Sequence, residues 1–186
     1  MEKKQAELIL NKYVKANSLL NHSHMVANAM KAYAKKLEKN ENTIHDWWLC
    51  GLLHDIDWEV YPDQHPNHAV EHIFPVIELS DEIQHAILAH APSRTGVTAE
   101  SEMDRYLFAC DEISGFIHAV SLMRPTAYDG MKVKSVMKKL KTLNFAANVS
   151  RNDIHTGVEL IGESLSDHIL FLIDVFQDAK QKNLIN

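Results

Sequence analysis

His54 and Asp55 stand side by side near the end of the stretch Asp-Trp-Trp-Leu-Cys-Gly-Leu-Leu-His-Asp-Ile-Asp, residues 46 to 57. Trp48, Leu49, Leu52 and Leu53 recur at helical spacing and read as one apolar stripe packed into a core. An imidazole and a carboxylate placed where such a helix ends are costly to sequester unless something pairs with them, and a divalent metal pairs with both. Adjacent helical residues point about 100° apart, so the pair could grip one ion only with groups from other helices. Taken alone, the dipeptide equally describes two ordinary surface residues. The other chemistry-bearing residues separate the two readings.

His22, in His-Ser-His-Met-Val, is four residues before Val26 and shares its face, which aims it inward. His24 points about 200° away from His22, so His22 is the better ligand candidate; a core or capping histidine is the alternative. From Ala109 to Met123 the acidic and imidazole groups are Asp111, Glu112 and His118, set among Cys110, Ile113, Phe116, Ile117, Val120 and Leu122. Asp111 in that setting needs a partner: a metal, an arginine or core hydrogen bonds. His118 lies on the same stripe and reads as structural. Imidazoles combined with carboxylates suit Mn²⁺, Fe²⁺, Co²⁺ or Zn²⁺; a site of oxygens alone would favour Mg²⁺ or Ca²⁺. Such an ion lowers the pKa of a bound water from 15.7 toward about 7. Gly-rich phosphate loops, Cys-x-x-Cys and Gly-x-Ser-x-Gly are absent.

The elements that must position these groups all carry helical periods. Residues 2–16 form a plausible first helix, and a second runs from about Leu20 to Lys39 with Val26, Met30, Tyr33 and Leu37 inward. Thr43 is placed to cap the helix that ends at His54-Asp55. A loop spans Ile56 to Gln64, and Pro66 suits the first turn of the next helix. Ser80-Asp81-Glu82 opens a helix ending at His90, and the helix bearing Asp111 runs from about Glu100 to Met123. After a turn at 126–130, Lys132 to Lys141 is a helix with a cationic face. Ser150 to Asp153 reads as a capping box, and Ser166 or Asp167 starts the last helix. No segment reads as a strand, so the expected fold is all-α.

A His, then His-Asp, then a remote Asp in an apolar helix resembles the HD superfamily of metal-dependent phosphohydrolases. Gly-Leu-Leu-His-Asp-Ile-Asp, Tyr-Pro-Asp-Gln-His-Pro, Ala-Ile-Leu-Ala-His, Met-Arg-Pro and Lys-Val-Lys-Ser-Val look like the small bacterial HD-domain hydrolases, over roughly residues 18 to 175. The resemblance implies an HD-type helical bundle with His22, His54, Asp55 and Asp111 as metal ligands, and Asp55 also orienting or deprotonating the bound water. It places His65 and His90 where binuclear members carry two extra histidines, Asp55 then bridging two ions; a helix-start and a helix-end histidine are the alternative for this pair. Asp57 is a candidate general acid or base, or simply a helix-ending aspartate. Here Asp57 and Trp58 replace the Gly and Lys of the His-Asp-Ile-Gly-Lys form. The Gly-Tyr-Pro signature of cyclic-di-GMP phosphodiesterases is missing as well. Arg94, Arg124 and Lys134 are candidates to meet a substrate phosphate, the default for the lysine run being a solvated face. The implied activity is hydrolysis of a phosphomonoester or phosphodiester, a nucleotide or related small molecule. The alternatives are a di-iron oxygenase on the HD fold, or a metal-binding regulatory protein without turnover.

The 186 residues suit one domain with one core. Cys50 and Cys110 both fall in apolar helical patterns and read as reduced core residues of a cytoplasmic protein. The N-terminus lacks the apolar core of a signal peptide, and no run approaches a membrane span. A net charge of −6 argues against a nucleic-acid polymer as partner. A small phosphate ester is the expected partner, and the sequence does not specify an oligomeric state.

Overall fold

Why α2 and α3 lie so close is a matter of one missing side chain. A Cβ on Gly51 of α3 (Glu41–Leu53) would sit 2.8 Å from the backbone of Ala27 on α2 (Asn17–Lys36). Glycine there, facing alanine, lets the two backbones touch. Gly157 does the same for α9 (Arg151–Ile161) against α7 (Glu102–Ser121), where a Cβ would meet the Ala109 Cα at 2.7 Å. The first crossing sets the distance between the helices that carry His22 and His54, and the second seats α9 against the helix that carries Asp111.

The computed structural model describes residues 1–186 and contains helices and turns with no strand. Besides those named, the elements are α1 (Lys3–Tyr13), α4 (Phe74–Ile77), α5 (Asp81–Ala89), α6 (Pro92–Thr95), α8 (Val133–Leu140) and α10 (Leu165–Gln181). A π-helical turn over Ala69–Ile73 precedes α4. The all-α expectation holds. One cluster of buried apolar side chains runs from Ala6 to Ile185, with α7 packed against α2, α5 and α9. Cys50 and Cys110 are buried and unpaired in a disulfide. No helix is long and apolar enough to cross a membrane.

Polar side chains fix where the helices start. Asn40, not Thr43, caps α3: its Oδ1 accepts the Thr43 N–H, so Thr43 is the residue capped. Ser80 and Ser164 accept from Ile83 and Asp167, which starts α10 slightly earlier than Ser166. Ser101 and Asp104 form a reciprocal capping box at the head of α7. At α9 the expected box is split. Ser150 Oγ accepts the Asp153 N–H, but the Ser150 N–H donates to Glu112 Oε2 of α7 at 3.1 Å. Pro66 stands at the start of the next helical run, as expected: Asn67 and His68 are already helical, the Val70 N–H donates to Pro66 O, and the run passes into the π-helical segment at Ala69. Beyond α3, the 54–60 turns are tied to the α1–α2 connection by Glu59, whose Oε2 accepts from the backbone N–H groups of Lys15 and Ala16.

Candidate metal centre

Five separate pieces of chain converge on one spot. His22 comes from the second turn of α2, and His54 caps the C-terminus of α3 with Asp55 next to it. His65 lies in the turns before the π-helical segment, His90 caps α5, and Asp111 lies midway along α7. The ligand atoms form two compact groups, His22–His54–Asp111 and Asp55–His65–His90, each with its atoms within 4.8 Å of one another.

Asp55 joins the groups. Its Oδ2 is 3.5 Å from His54 Nε2 and 3.8 Å from His22 Nε2. Its Oδ1 is 3.4 Å from His65 Nε2 and 3.8 Å from His90 Nε2. Asp111 Oδ1 accepts from His22 Nε2 at 2.8 Å and lies 3.4 Å from His54 Nε2.

The outward nitrogens of three histidines are pinned. His54 Nδ1 donates to Gly51 O at 2.8 Å, His90 Nδ1 to Ile87 O, and His65 Nδ1 to Asp57 Oδ1 at 2.7 Å. Each ring is thereby oriented with Nε2 turned inward, the arrangement usual for metal-ligating histidine. Two consequences test whether a cation fits. His54 Nε2 is buried without any hydrogen-bond partner. His65 Nε2 and His90 Nε2 face each other at 3.1 Å, both rings having already committed their Nδ1–H groups elsewhere, so only a cation, a proton or a metal, satisfies both nitrogens. A buried ring nitrogen without a partner and two ring nitrogens in contact both call for positive charge between them, and a divalent ion supplies it to both. The donor set fits the metal.

The electrostatics agree. Burial opposes charge on His54, but the Asp55 and Asp111 carboxylates outweigh it and raise its pKa to about 9. Burial also pushes Asp55 and Asp111 upward, yet the surrounding imidazoles hold both well below the usual carboxylate range. The site is built to keep positive charge.

Of the remaining expected groups, Arg94 lines the cleft over these residues, a hollow of about 430 Å³. Its Nη1 donates to Pro62 O at 2.7 Å, and its guanidinium lies 5.1 Å from the Trp58 ring centroid. Three expectations are corrected. Asp57 is fully buried, accepting from His65 Nδ1 and the Ala69 N–H, so it has no face toward a substrate and orients His65 instead. Arg124 is engaged in closing the 124–130 turn, donating to Ala127 O and Asp129 O. Lys134 is exposed on α8, away from the cleft. His24 turns to Glu7, and His118 to the Tyr128 hydroxyl.

Sequence reasoning missed four further residues of the cleft lining: Trp58, Glu112, Asn148 and Asp153. The adjacency of Trp58 to Asp57 and of Glu112 to Asp111 was the available signal. Burial, with Asp111 beside it, pushes Glu112 up to about 7 against the Ser150 N–H bond. Asn148, in the turn before α9, and Asp153, in the first turn of α9, gave no signal because they come in from remote sequence.

The HD domain family model matches residues 19–115, a span that contains all six clustered residues. No curated protein and no solved structure matches the chain. The match covers more than half of the sequence, and the chain belongs to the HD-domain superfamily, whose members are metal-dependent hydrolases.

Proposed function

We propose that the protein is a phosphohydrolase that cleaves a phosphomonoester or phosphodiester of a small polar molecule, nucleotides being the first class to test, with two divalent transition-metal ions as cofactor. The observation that carries this reading is Asp55 between two ligand groups, one oxygen turned toward each. His22, His54 and Asp111 would hold one ion and His65 and His90 the other, with Asp55 contributing to both. Bound there, the ions supply Lewis acidity, lowering the pKa of water toward about 7 and neutralising charge on the phosphoryl group.

The chain's own residues do the rest. Asp55, at the junction of the two ligand groups, would orient the nucleophilic water. Asp57 keeps the His65 ring in register. Arg94 leaves Nε and Nη2 without protein acceptors while Pro62 and Trp58 fix its plane, so it meets a phosphate with little ordering left to do. Asp153 and, where ionised, Glu112 also line the cleft and disfavour a second anionic group, which favours substrates whose remainder is neutral or cationic.

The test is phosphate release from a panel of nucleotides and simple esters, with Mn²⁺, Fe²⁺, Co²⁺ or Zn²⁺, against Asp55→Ala. Metal-dependent release by wild type alone is expected. No release above the Asp55→Ala control with any ion overturns the hydrolase reading, and oxygen uptake by anaerobically loaded iron protein would then identify an oxygenase.

A further inference from the structure

Three lysines meet in a second hollow, on α1, α2 and α3 and apart from the metal cleft. Lys31 and Lys35 stand one turn apart on α2. Lys3, in the first turn of α1, places its Nζ 5.3 Å from the ring centroid of Trp48 on α3. Together with His45 and Glu41 they line a cavity of about 290 Å³ floored by that indole. His45 stacks on Trp48 with ring centroids 5.7 Å apart, which holds the floor flat.

What sets the cluster apart is that three unpaired ammonium groups line one hollow. The lysine ion pairs of the protein belong to Lys36, Lys39 and Lys182; Lys3, Lys31 and Lys35 make none and donate no side-chain hydrogen bond. Glu41 is the single carboxylate lining the hollow. Like charges four apart on a helix repel, and a third ammonium facing them adds to the cost. Partial burial, then Lys3, Lys35 and Lys182, lower the pKa of Lys31 accordingly. This concentration of positive charge stands on a chain whose net charge is −6. The neighbouring hollow beyond Lys31 and Lys35 contains Lys182 but also Asp174 and Asp178, so it is less favourable to an anion than the Trp48 side, where Glu41 is the only carboxylate.

We propose that Lys3, Lys31 and Lys35 form a binding site for a small soluble tetrahedral oxyanion of the phosphate class, separate from the metal centre. Point-charge ammonium groups bind phosphate oxygens without demanding a fixed fork geometry. The anion would bridge α1, α2 and α3. Since α2 carries His22 and α3 ends at His54, it would also brace the two helices that present those ligands.

Thermal unfolding of the full-length, metal-loaded protein tests this, with inorganic phosphate and sulfate at low millimolar concentration against sodium chloride of equal ionic strength. A saturable rise in Tm is expected for wild type and for Asp55→Ala, and its loss is expected in Lys31→Gln/Lys35→Gln. Without phosphate or sulfate the double variant should melt no lower than wild type, because the repulsion is gone. Lys3→Gln, an exposed change, should weaken the response and serves if the double variant fails to fold. An equal response in the lysine variants overturns the proposal. So does loss of the response in Asp55→Ala, which would put the anion at the metal centre. Binding to phosphatidylglycerol vesicles with no response to free phosphate or sulfate overturns the soluble ligand.

Discussion

Asp57 is a residue whose role follows from where both of its oxygens end. One accepts from His65 and the other from the Ala69 N–H, leaving nothing for solvent. An asparagine side chain in its place would offer one acceptor and one donor, so either His65 Nδ1–H or the Ala69 N–H would face an N–H group. Asp57→Asn should therefore weaken the ion held with His65 by roughly 10- to 100-fold, the usual cost when a ligating histidine loses the group that orients it. The ion held by His22, His54 and Asp111 should bind as before. Mn²⁺ titration followed by electron paramagnetic resonance resolves the two events, and equal weakening of both would count against an orienting role confined to His65.

Among the elements, the α2–α3 crossing is the one on which the centre depends most. Gly51→Ala forces a Cβ to within 2.8 Å of the Ala27 backbone, and backbone cannot swing aside. Overpacking of this kind costs typically about 1–3 kcal/mol. For a chain of this size that is a Tm drop of roughly 2–4 °C per kcal/mol. The same shift separates His22 from His54, so metal content should fall together with Tm; a stable variant with full metal would show that the crossing does not set the ligand spacing. At the head of α7, Asp104 gives a pH prediction. Burial alone would raise its pKa, but bonds from Ser101 and the Glu100 N–H outweigh it and hold the value below the ordinary range. A depressed folded-state pKa contributes stability that is complete above the unfolded value of about 3.9 and is lost as pH falls through the folded one. Asp104→Asn should thus melt lower than wild type at neutral pH, the two curves converging below about pH 4.

At the scale of the whole molecule, the metal centre joins pieces of chain that otherwise meet only through the core. His22 and Asp111 are 89 residues apart, and His65 and His90 are 25 apart. An ion that binds this arrangement and not the unfolded chain stabilises the fold by RT ln(1 + [L]/Kd), about 2.7 kcal/mol at a hundredfold excess over Kd. Chelation should accordingly lower the Tm of wild type by several degrees and leave that of Asp55→Ala nearly unchanged. A chelator-insensitive wild type would mean that the fold gains nothing from a metal.

The sequence by itself determined the helical class, most helix starts and the HD family, because these rest on short-range facts. A 3.6-residue period, a serine or asparagine before a helix and a His-Asp pair at the end of an apolar stripe can each be read within one turn or two. It also singled out the six residues that the structure brings together. It misassigned Asp57, Arg124 and Lys134, since residue type says nothing about which partner a charged group will find. A carboxylate two residues past His-Asp looks the same whether it faces a cleft or a buried imidazole. Thr43 failed as a cap for a related reason: Asn40, three residues earlier, already accepts Thr43's own N–H and starts the helix there. Only the tertiary structure decided that Asp55 turns one oxygen to each histidine group, that Arg94 is fixed against Trp58, and that Glu112 and Asp153 line the same cleft. Those outcomes depend on how closely helices cross, and a close crossing is set by Gly51 against Ala27 and Gly157 against Ala109, pairs that no local pattern connects.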